Sequence, residues 1–160
     1  MKIRQVHANN RKKAFEIETS KGRFDLPYSK AVPKATSSDP VMTVTVDTEL
    51  GREAFTYILR SGRQGSIHIE QVLDYNEEPT YMRDTILYKL TIEAQKRVRT
   101  SPLSTREIIR RLGTSATQYY RLIDQTNYKK SVDQLLSLLQ VLDCSVELKV
   151  RPKRPAGHTA

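Results

Sequence analysis

The sequence predicts an α+β chain in which a small, mostly antiparallel β-domain is followed by four helices and a terminal strand. Residues 1–76 contain short stretches that alternate apolar and polar side chains, a pattern typical of half-exposed strands. From residue 77 the apolar side chains recur at helical spacing instead. These patterns predict a β-domain over residues 1–76, a helical domain over residues 77–150 and a disordered basic tail over residues 151–160.

Two hairpins are recognisable in the first half of the sequence. Residues 14–19 alternate clearly, a turn at residues 20–22 contains a glycine free to take positive φ, and residues 23–26 form the return strand. Residues 54–59 and 66–69 form the strands of the second hairpin. Two further strands and a loop complete the pattern: residues 2–7, 41–46 and 31–40. So small a sheet needs cover on one side, from a helix or from another chain.

The first two helices of the second half have clear start and stop signals. A helix begins near Pro79, an early proline preceded by acidic residues, and ends before Ser101-Pro102. Ser104 is placed to cap the next helix, and Glu107, three residues later, completes the pattern of a capping box. That helix ends at Gly113, which suits a left-handed position after a helix.

The remaining elements follow in the same way. Ser115 caps a third helix that runs to about Ile123, and Ser131 caps a fourth helix over residues 132–142. Residues 145–150 alternate and are predicted to form a closing strand. On the fourth helix, Leu138 and Val141 widen the apolar face beyond the need of a small core. This width indicates either a homodimer or contact with the β-domain, or an unusually buried helix within one chain.

The positive charge of the chain is concentrated in the second half. Residues 1–78 contain 12 Lys or Arg and 11 Asp or Glu, whereas residues 79–160 contain 15 and 7. The excess in one half favours a polyanionic partner, most often nucleic acid, over a merely solvated basic surface.

Several other classes of protein are not indicated. No apolar run is long enough to span a membrane, there is no apolar stretch of a secretory signal near Met1, and the single cysteine, Cys144, fits a reducing cytoplasm. None of the three histidines has a second ligand at metal spacing, so we expect no metal or other cofactor. Neither an oriented catalytic dyad nor a phosphate-binding glycine loop is present, and we expect no enzyme.

The third helix has one face suited to reading DNA bases. Its inner side chains, Tyr119 and Leu122, would pack with Ile108 and Leu112 of the preceding helix. The outer side chains include an Arg suited to guanine, a Gln suited to adenine and methyl groups suited to thymine. The predicted base-reading residues are Ala116, Thr117, Gln118, Tyr120 and Arg121.

Over residues 81–150 the sequence resembles the phage-repressor-like (XRE-type) helix-turn-helix family. The resemblance rests on a register of positions at fixed spacing: Leu103-Ser104, Ile108, Leu112-Gly113, Ser115, Leu122 and Ser131-Val132-Asp133-Gln134-Leu135. It departs from the family pattern at Ile109, Tyr119 and Asp143. The whole chain is also similar to an uncharacterised bacterial group in which such a β-domain precedes the helix-turn-helix.

The resemblance implies a four-helix, lambda-repressor-like helix-turn-helix domain that binds double-stranded DNA as a homodimer. It places Ala116, Thr117 and Arg121 at the bases. The residues expected near phosphates are Thr105, Arg106, Asn127, Lys129 and Lys130.

The sequence therefore predicts a cytoplasmic transcriptional regulator that binds DNA sequence-specifically. The alternative is an antitoxin-like protein-interaction module in which the helix-turn-helix is secondary or vestigial. In either case the β-domain could have a ligand or protein partner of its own, which the sequence does not identify.

Overall fold

The computed structural model describes residues 1–152 and confirms the α+β class. The chain divides into two compact units, one from Met1 to Arg83 and one that begins at Asp84. None of the helices within residues 1–152 combines the length and the apolar character that crossing a membrane requires.

The first unit contains six strands, which form two antiparallel three-stranded sheets instead of the single sheet that the sequence predicted. The strands are β1 (Ile3–Asn9), β2 (Ala14–Thr19), β3 (Gly22–Pro27), β4 (Val41–Asp47), β5 (Ala54–Leu59) and β6 (Gln64–His68). Each sheet joins strands that follow one another directly in sequence, in the orders β1-β2-β3 and β4-β5-β6. After β3 the chain turns into a short 3-10 helix at Tyr28–Lys30 and the predicted loop, so β4 starts a new sheet.

The two sheets have the same strand order and similar burial, a structural repeat that the sequence pattern did not predict. The central strands begin with the same pair, Ala-Phe, and Phe15 and Phe55 are both fully buried. Phe15 lies opposite Leu26 in the first sheet, as Phe55 lies opposite Ile67 in the second. The pairing of the first two strands is also interrupted near the same end in both sheets. The shared burial pattern directs both sheets toward one core.

Aromatic rings form the centre of this core. The ring of Phe15 lies 4.7 Å from that of Tyr28, 5.1 Å from that of Phe55 and 5.0 Å from that of Tyr57, measured between centroids. The hydroxyl of Tyr57 donates a hydrogen bond of 2.6 Å to the carbonyl of Pro33, and burial raises the pKa of this tyrosine. Its ring passes so close to Gly65 that a Cβ atom there would overlap the tyrosine hydroxyl.

The end of the second hairpin differs from the prediction, because the strand expected over residues 66–69 gives way to a helix. Helix α1 (Ile69–Tyr75) begins one residue after β6. His68 caps it: its Nδ1 accepts from the backbone N–H of Glu70, and its own N–H donates to the side chain of Gln71. Ile69, Val72 and Leu73 of the helix are buried in the core, so this helix supplies cover that the small sheets need.

The second half contains four helices close to their predicted positions: α2 (Pro79–Thr100), α3 (Thr105–Leu112), α4 (Ala116–Ile123) and α5 (Val132–Val141). Helix α2 contains the division between the units. The core of the second unit consists of Leu87, Ala94, Ile108, Tyr119, Leu122, Leu135, Leu138 and Leu139. Leu138 is fully buried and Val141 packs against the same core, so both side chains that widen the apolar face of α5 are covered within the chain.

The prediction of a closing strand over residues 145–150 is wrong, because these residues form no strand within the single chain. Two residues after the end of α5, Asp143 takes a φ of 55°, and the N–H of Cys144 donates to the carbonyl of Leu139 over 2.9 Å. This left-handed turn usually uses glycine, and Asp is among the few other residues that tolerate it. Beyond it, residues 145–150 are exposed and pair with no other strand in the described chain. Of the predicted disordered tail, Arg151 and Pro152 are exposed, and residues 153–160 lie outside the described residues.

Candidate nucleic-acid interface

The two short helices α3 and α4 are joined by a sharply defined turn. Ser104 Oγ accepts from the backbone N–H of Glu107, and Ser115 Oγ accepts from that of Gln118, both over 3.2 Å. Between them Gly113 takes a φ of 67° and a ψ of 33°, a left-handed conformation that other L-residues adopt at a cost. Both helix starts and the turn are therefore fixed by local chemistry.

The capping box predicted at α3 forms only in part. Ser104 makes its half of the box, but the carboxylate of Glu107 binds two arginines instead of reaching back to the cap. Arg110 holds it through two nitrogens at 2.8 and 2.6 Å, and Arg111 through Nε at 2.8 Å. These contacts, first with Arg110, lower the pKa of Glu107 to about 2. Two cations of α3 are thus already paired with a carboxylate.

The inner face of the α3–α4 pair is anchored in the core. Ile108 and Tyr119 are fully buried, and Leu122 is nearly so. Ile109, where the sequence departs from the phage-repressor pattern, is half-buried against the same core. The ring of Tyr119, the second departure, meets that of Tyr120 edge to face at 5.3 Å. The larger side chains at both positions are accommodated within the packing.

The outer face of α4 presents every residue predicted to read bases. All five are exposed: Ala116, Thr117, Gln118, Tyr120 and Arg121. Tyr120, the one aromatic residue among the five, is 58% exposed. The Oε1 of Gln118 is held by the hydroxyl of Thr114 at 2.7 Å, which orients the amide group. The face therefore offers methyl groups, an oriented amide, a phenol and a guanidinium to a partner.

The residues predicted near phosphates divide into two groups. Thr105, Arg106 and Lys129 are exposed, as such a role requires. Asn127 instead supports the chain: its amide donates to the carbonyl of Arg121, and its Oδ1 accepts from the N–H of Lys129.

Lys130 differs most from the prediction, because only 9% of it is exposed. Its ammonium donates to the carbonyls of Leu122 and Asp124, at 2.9 and 2.5 Å. Burial lowers the pKa of Lys130. This lysine neutralises the negative end of α4, where carbonyl groups lack helical partners, and it does not extend into solvent. The sequence shows two adjacent lysines and gives no sign that their side chains go to different places.

A polar cavity of about 370 Å³ lies beside the C-terminal half of α4. Gln118 and Arg121 of α4 line it, together with Lys129 of the following loop and Gln134 of α5. Neither Arg121 nor Lys129 pairs with a carboxylate of residues 1–152, unlike Arg110 and Arg111. Two free cations thus line one concave surface, where they can attract an anion.

The first unit carries a groove of a different character. It has a volume of about 620 Å³ and contains both charge signs, and it is lined by side chains of β1, β2 and β3, by Lys12 of the turn between β1 and β2, and by Asn76. Within it Lys12 pairs with Glu16 at 2.7 Å. In residues 1–152 no group of three or more His, Cys, Asp or Glu side chains could hold a metal ion.

No family model, curated protein or solved structure matches this chain. The resemblance to phage-repressor-like proteins therefore rests on the positions within residues 81–150 described above, and the role of the site rests on its own chemistry.

Proposed function

We propose that this protein is a sequence-specific DNA-binding transcriptional regulator of the phage-repressor-like (XRE) kind, with α4 as the helix that enters the major groove. One observation carries the proposal: all five predicted base-reading side chains lie exposed on an eight-residue helix whose other face is anchored by Tyr119 and Leu122. A reading helix must be rigid on one face and free on the other.

The residue types on the exposed face suit base recognition. Arg121 can donate two hydrogen bonds to the O6 and N7 atoms of guanine, and Gln118 has the amide group that recognises adenine. Ala116 and Thr117 carry methyl groups for contact with the methyl of thymine. Since they stand at the start of α4, the N-terminal end of this helix would lie deepest in the groove.

Other residues are suited to holding the DNA backbone. Thr105 and Arg106 lie in the first turn of α3, where free backbone N–H groups and the helix dipole favour a phosphate. Lys129 adds an exposed cation in the loop that follows α4. These contacts would position the helix without reading sequence. The excess of Lys and Arg in residues 79–160 agrees with a polyanionic partner.

Selection of genomic fragments by the purified full-length protein tests the proposal. We expect enrichment of a short common sequence, and we expect the double variant Gln118→Ala, Arg121→Ala to lose that enrichment while keeping weak binding to all fragments. Arg23→Ala, which removes an exposed cation from the first unit, is the control. If the folded protein enriches no fragment, the DNA-binding function is refuted and the protein-interaction alternative takes its place.

A further inference from the structure

The segment that follows α5 has the pattern of a strand but no partner in its own chain. From Cys144 to Pro152 it runs without helix, turn or bend. Val146, Leu148 and Val150 alternate with polar residues, and Leu148 and Val150 are 86% and 83% exposed. No hydrogen bond joins residues 145–150 to the rest of the described chain. Its backbone N–H and C=O groups are therefore available to pair with another strand.

The start of this segment is fixed. The left-handed turn at Asp143 and the hydrogen bond from Cys144 to Leu139 tie it to the end of α5. Pairing of this segment with another strand would therefore hold the partner close to the end of α5.

We propose that this segment pairs with the same segment of a second copy of the chain, antiparallel, about a two-fold axis at Leu148. In that register Leu148 faces Leu148 of the partner subunit, and Val146 faces the partner's Val150. Glu147 faces the partner's Lys149, and the two-fold axis generates the same pair a second time. All six aliphatic side chains then lie on one face, and both opposite-charge pairs lie on the other.

Other antiparallel registers of the two segments are disfavoured, because they bring like charges together or place charged side chains opposite aliphatic ones. A shift that centres the axis on Glu147 sets two carboxylates directly opposite each other, and one that centres it on Lys149 sets two ammonium groups opposite. An axis that falls between two residues places charged side chains opposite aliphatic ones, because directly paired residues share a face. Self-complementarity of both charge and apolar pattern selects the register at Leu148, and this complementarity identifies the partner as a second copy.

A two-stranded ribbon needs cover for its apolar face. Helix α5, from which the segment emerges, leaves Val132 and Leu136 more than a third exposed, one helical turn apart. Each chain thus carries exposed apolar side chains of the kind that such cover requires.

The pairing does not rest on the proposed function, since it requires no DNA. If the chain also binds DNA, a two-fold dimer presents two copies of α4 to two half-sites.

Charge exchange tests the pairing and its register together. Glu147→Lys sets two lysines opposite each other in each pair, and Lys149→Glu sets two carboxylates opposite. We expect the wild-type full-length chain to dimerise in sedimentation velocity without DNA. We expect each variant to dimerise about tenfold more weakly, since two attractive pairs become repulsive.

An equimolar mixture of the two variants is the decisive sample. In the register at Leu148 every charged pair of the mixed dimer is again opposite in sign, so the mixture should recover the wild-type affinity. The double exchange Glu147→Lys, Lys149→Glu should recover it as well. Glu49→Lys and Lys89→Glu make the same charge changes at exposed sites elsewhere and should leave dimerisation unchanged.

Three results would overturn the proposal: a wild-type monomer at all concentrations, single variants that dimerise like the wild type, or a mixture that does not recover. Circular dichroism of each variant confirms that the fold is kept. The outcome is independent of DNA binding, so the failure of one proposal is distinguishable from that of the other.

Discussion

Arg121 is the residue whose removal separates base reading from phosphate contact. Its side chain is exposed and makes no hydrogen bond or ion pair with residues 1–152, and its backbone carbonyl accepts a hydrogen bond from the amide of Asn127. Alanine keeps that carbonyl and favours the helix. Arg121→Ala should therefore leave the fold and stability close to those of the wild type, so that a change in binding reports the side chain itself.

The expected magnitude follows from the geometry of guanine recognition. A bidentate contact between arginine and guanine contributes about 1–3 kcal/mol of discrimination. Its loss should lower the ratio of specific to random binding by about 5- to 150-fold. Lys129→Ala removes a free cation outside the helix and should weaken binding to both DNAs equally. It should also reduce the slope of log affinity against log salt by about 0.9 if it contacts one phosphate.

Fluorescence anisotropy with a selected duplex and its scrambled counterpart, over a series of salt concentrations, measures both quantities. Arg23→Ala in the first unit is the control for loss of one positive charge. A specificity ratio that is unchanged in Arg121→Ala would refute the assignment of α4 as the reading helix, even if the protein binds DNA.

Three further predictions concern stability. Lys130→Met should lower the free energy of unfolding by about 1–3 kcal/mol in urea denaturation, because two carbonyl groups at the end of α4 lose their donor; an unchanged value would show that water replaces the ammonium. Gly65→Ala should cost about 1–3 kcal/mol, since its methyl group overlaps the hydroxyl of Tyr57, whereas Ser66→Ala beside it should have little effect. Hydrogen bonds, first from Arg63, hold the pKa of Asp39 at about 2, below its ordinary 3.8. The stability that this carboxylate contributes is therefore complete above about pH 4 and lost as the pH falls through 2, and Asp39→Asn should flatten that part of the acid denaturation profile.

The features that the sequence predicted well are those set by local chemistry. Ser104, Gly113 and Ser115 each act through the backbone of their own or neighbouring residues, so their types and spacing sufficed to locate α3, the turn and α4. The exposed face of α4 was predictable for the same reason. Once the helix ends are known, helical periodicity decides which side chains face the core.

The features that were missed depend on contacts made elsewhere. Ile67 and Ile69 alternate as in a strand, but Ile69 belongs to a helix whose next buried residues lie three and four positions later. Lys130 looked like its neighbour Lys129 because the carbonyls that bind it are brought close only by folding. The alternation of residues 145–150 predicted a strand, but alternation alone does not say whether the partner strand lies in the same chain.

The doubling of the three-stranded sheet has a consequence for the order of folding. Every ladder of the first unit joins strands that are adjacent in sequence, so each hairpin closes a short loop, which is the condition for rapid formation. The contact between the two sheets, in contrast, joins residues far apart in sequence. The N–H of Ile3 donates to the carbonyl of Arg52 over 2.8 Å, and the guanidinium of Arg52 donates to the carbonyl of Ile3, 49 residues away. During synthesis the whole first sheet emerges before β4 exists, yet a three-stranded sheet without cover is marginal. We therefore expect the first sheet to fluctuate until Phe55 and Tyr57 have been synthesised and pack on Phe15. The first unit would then become stable only after the chain has been synthesised beyond β5.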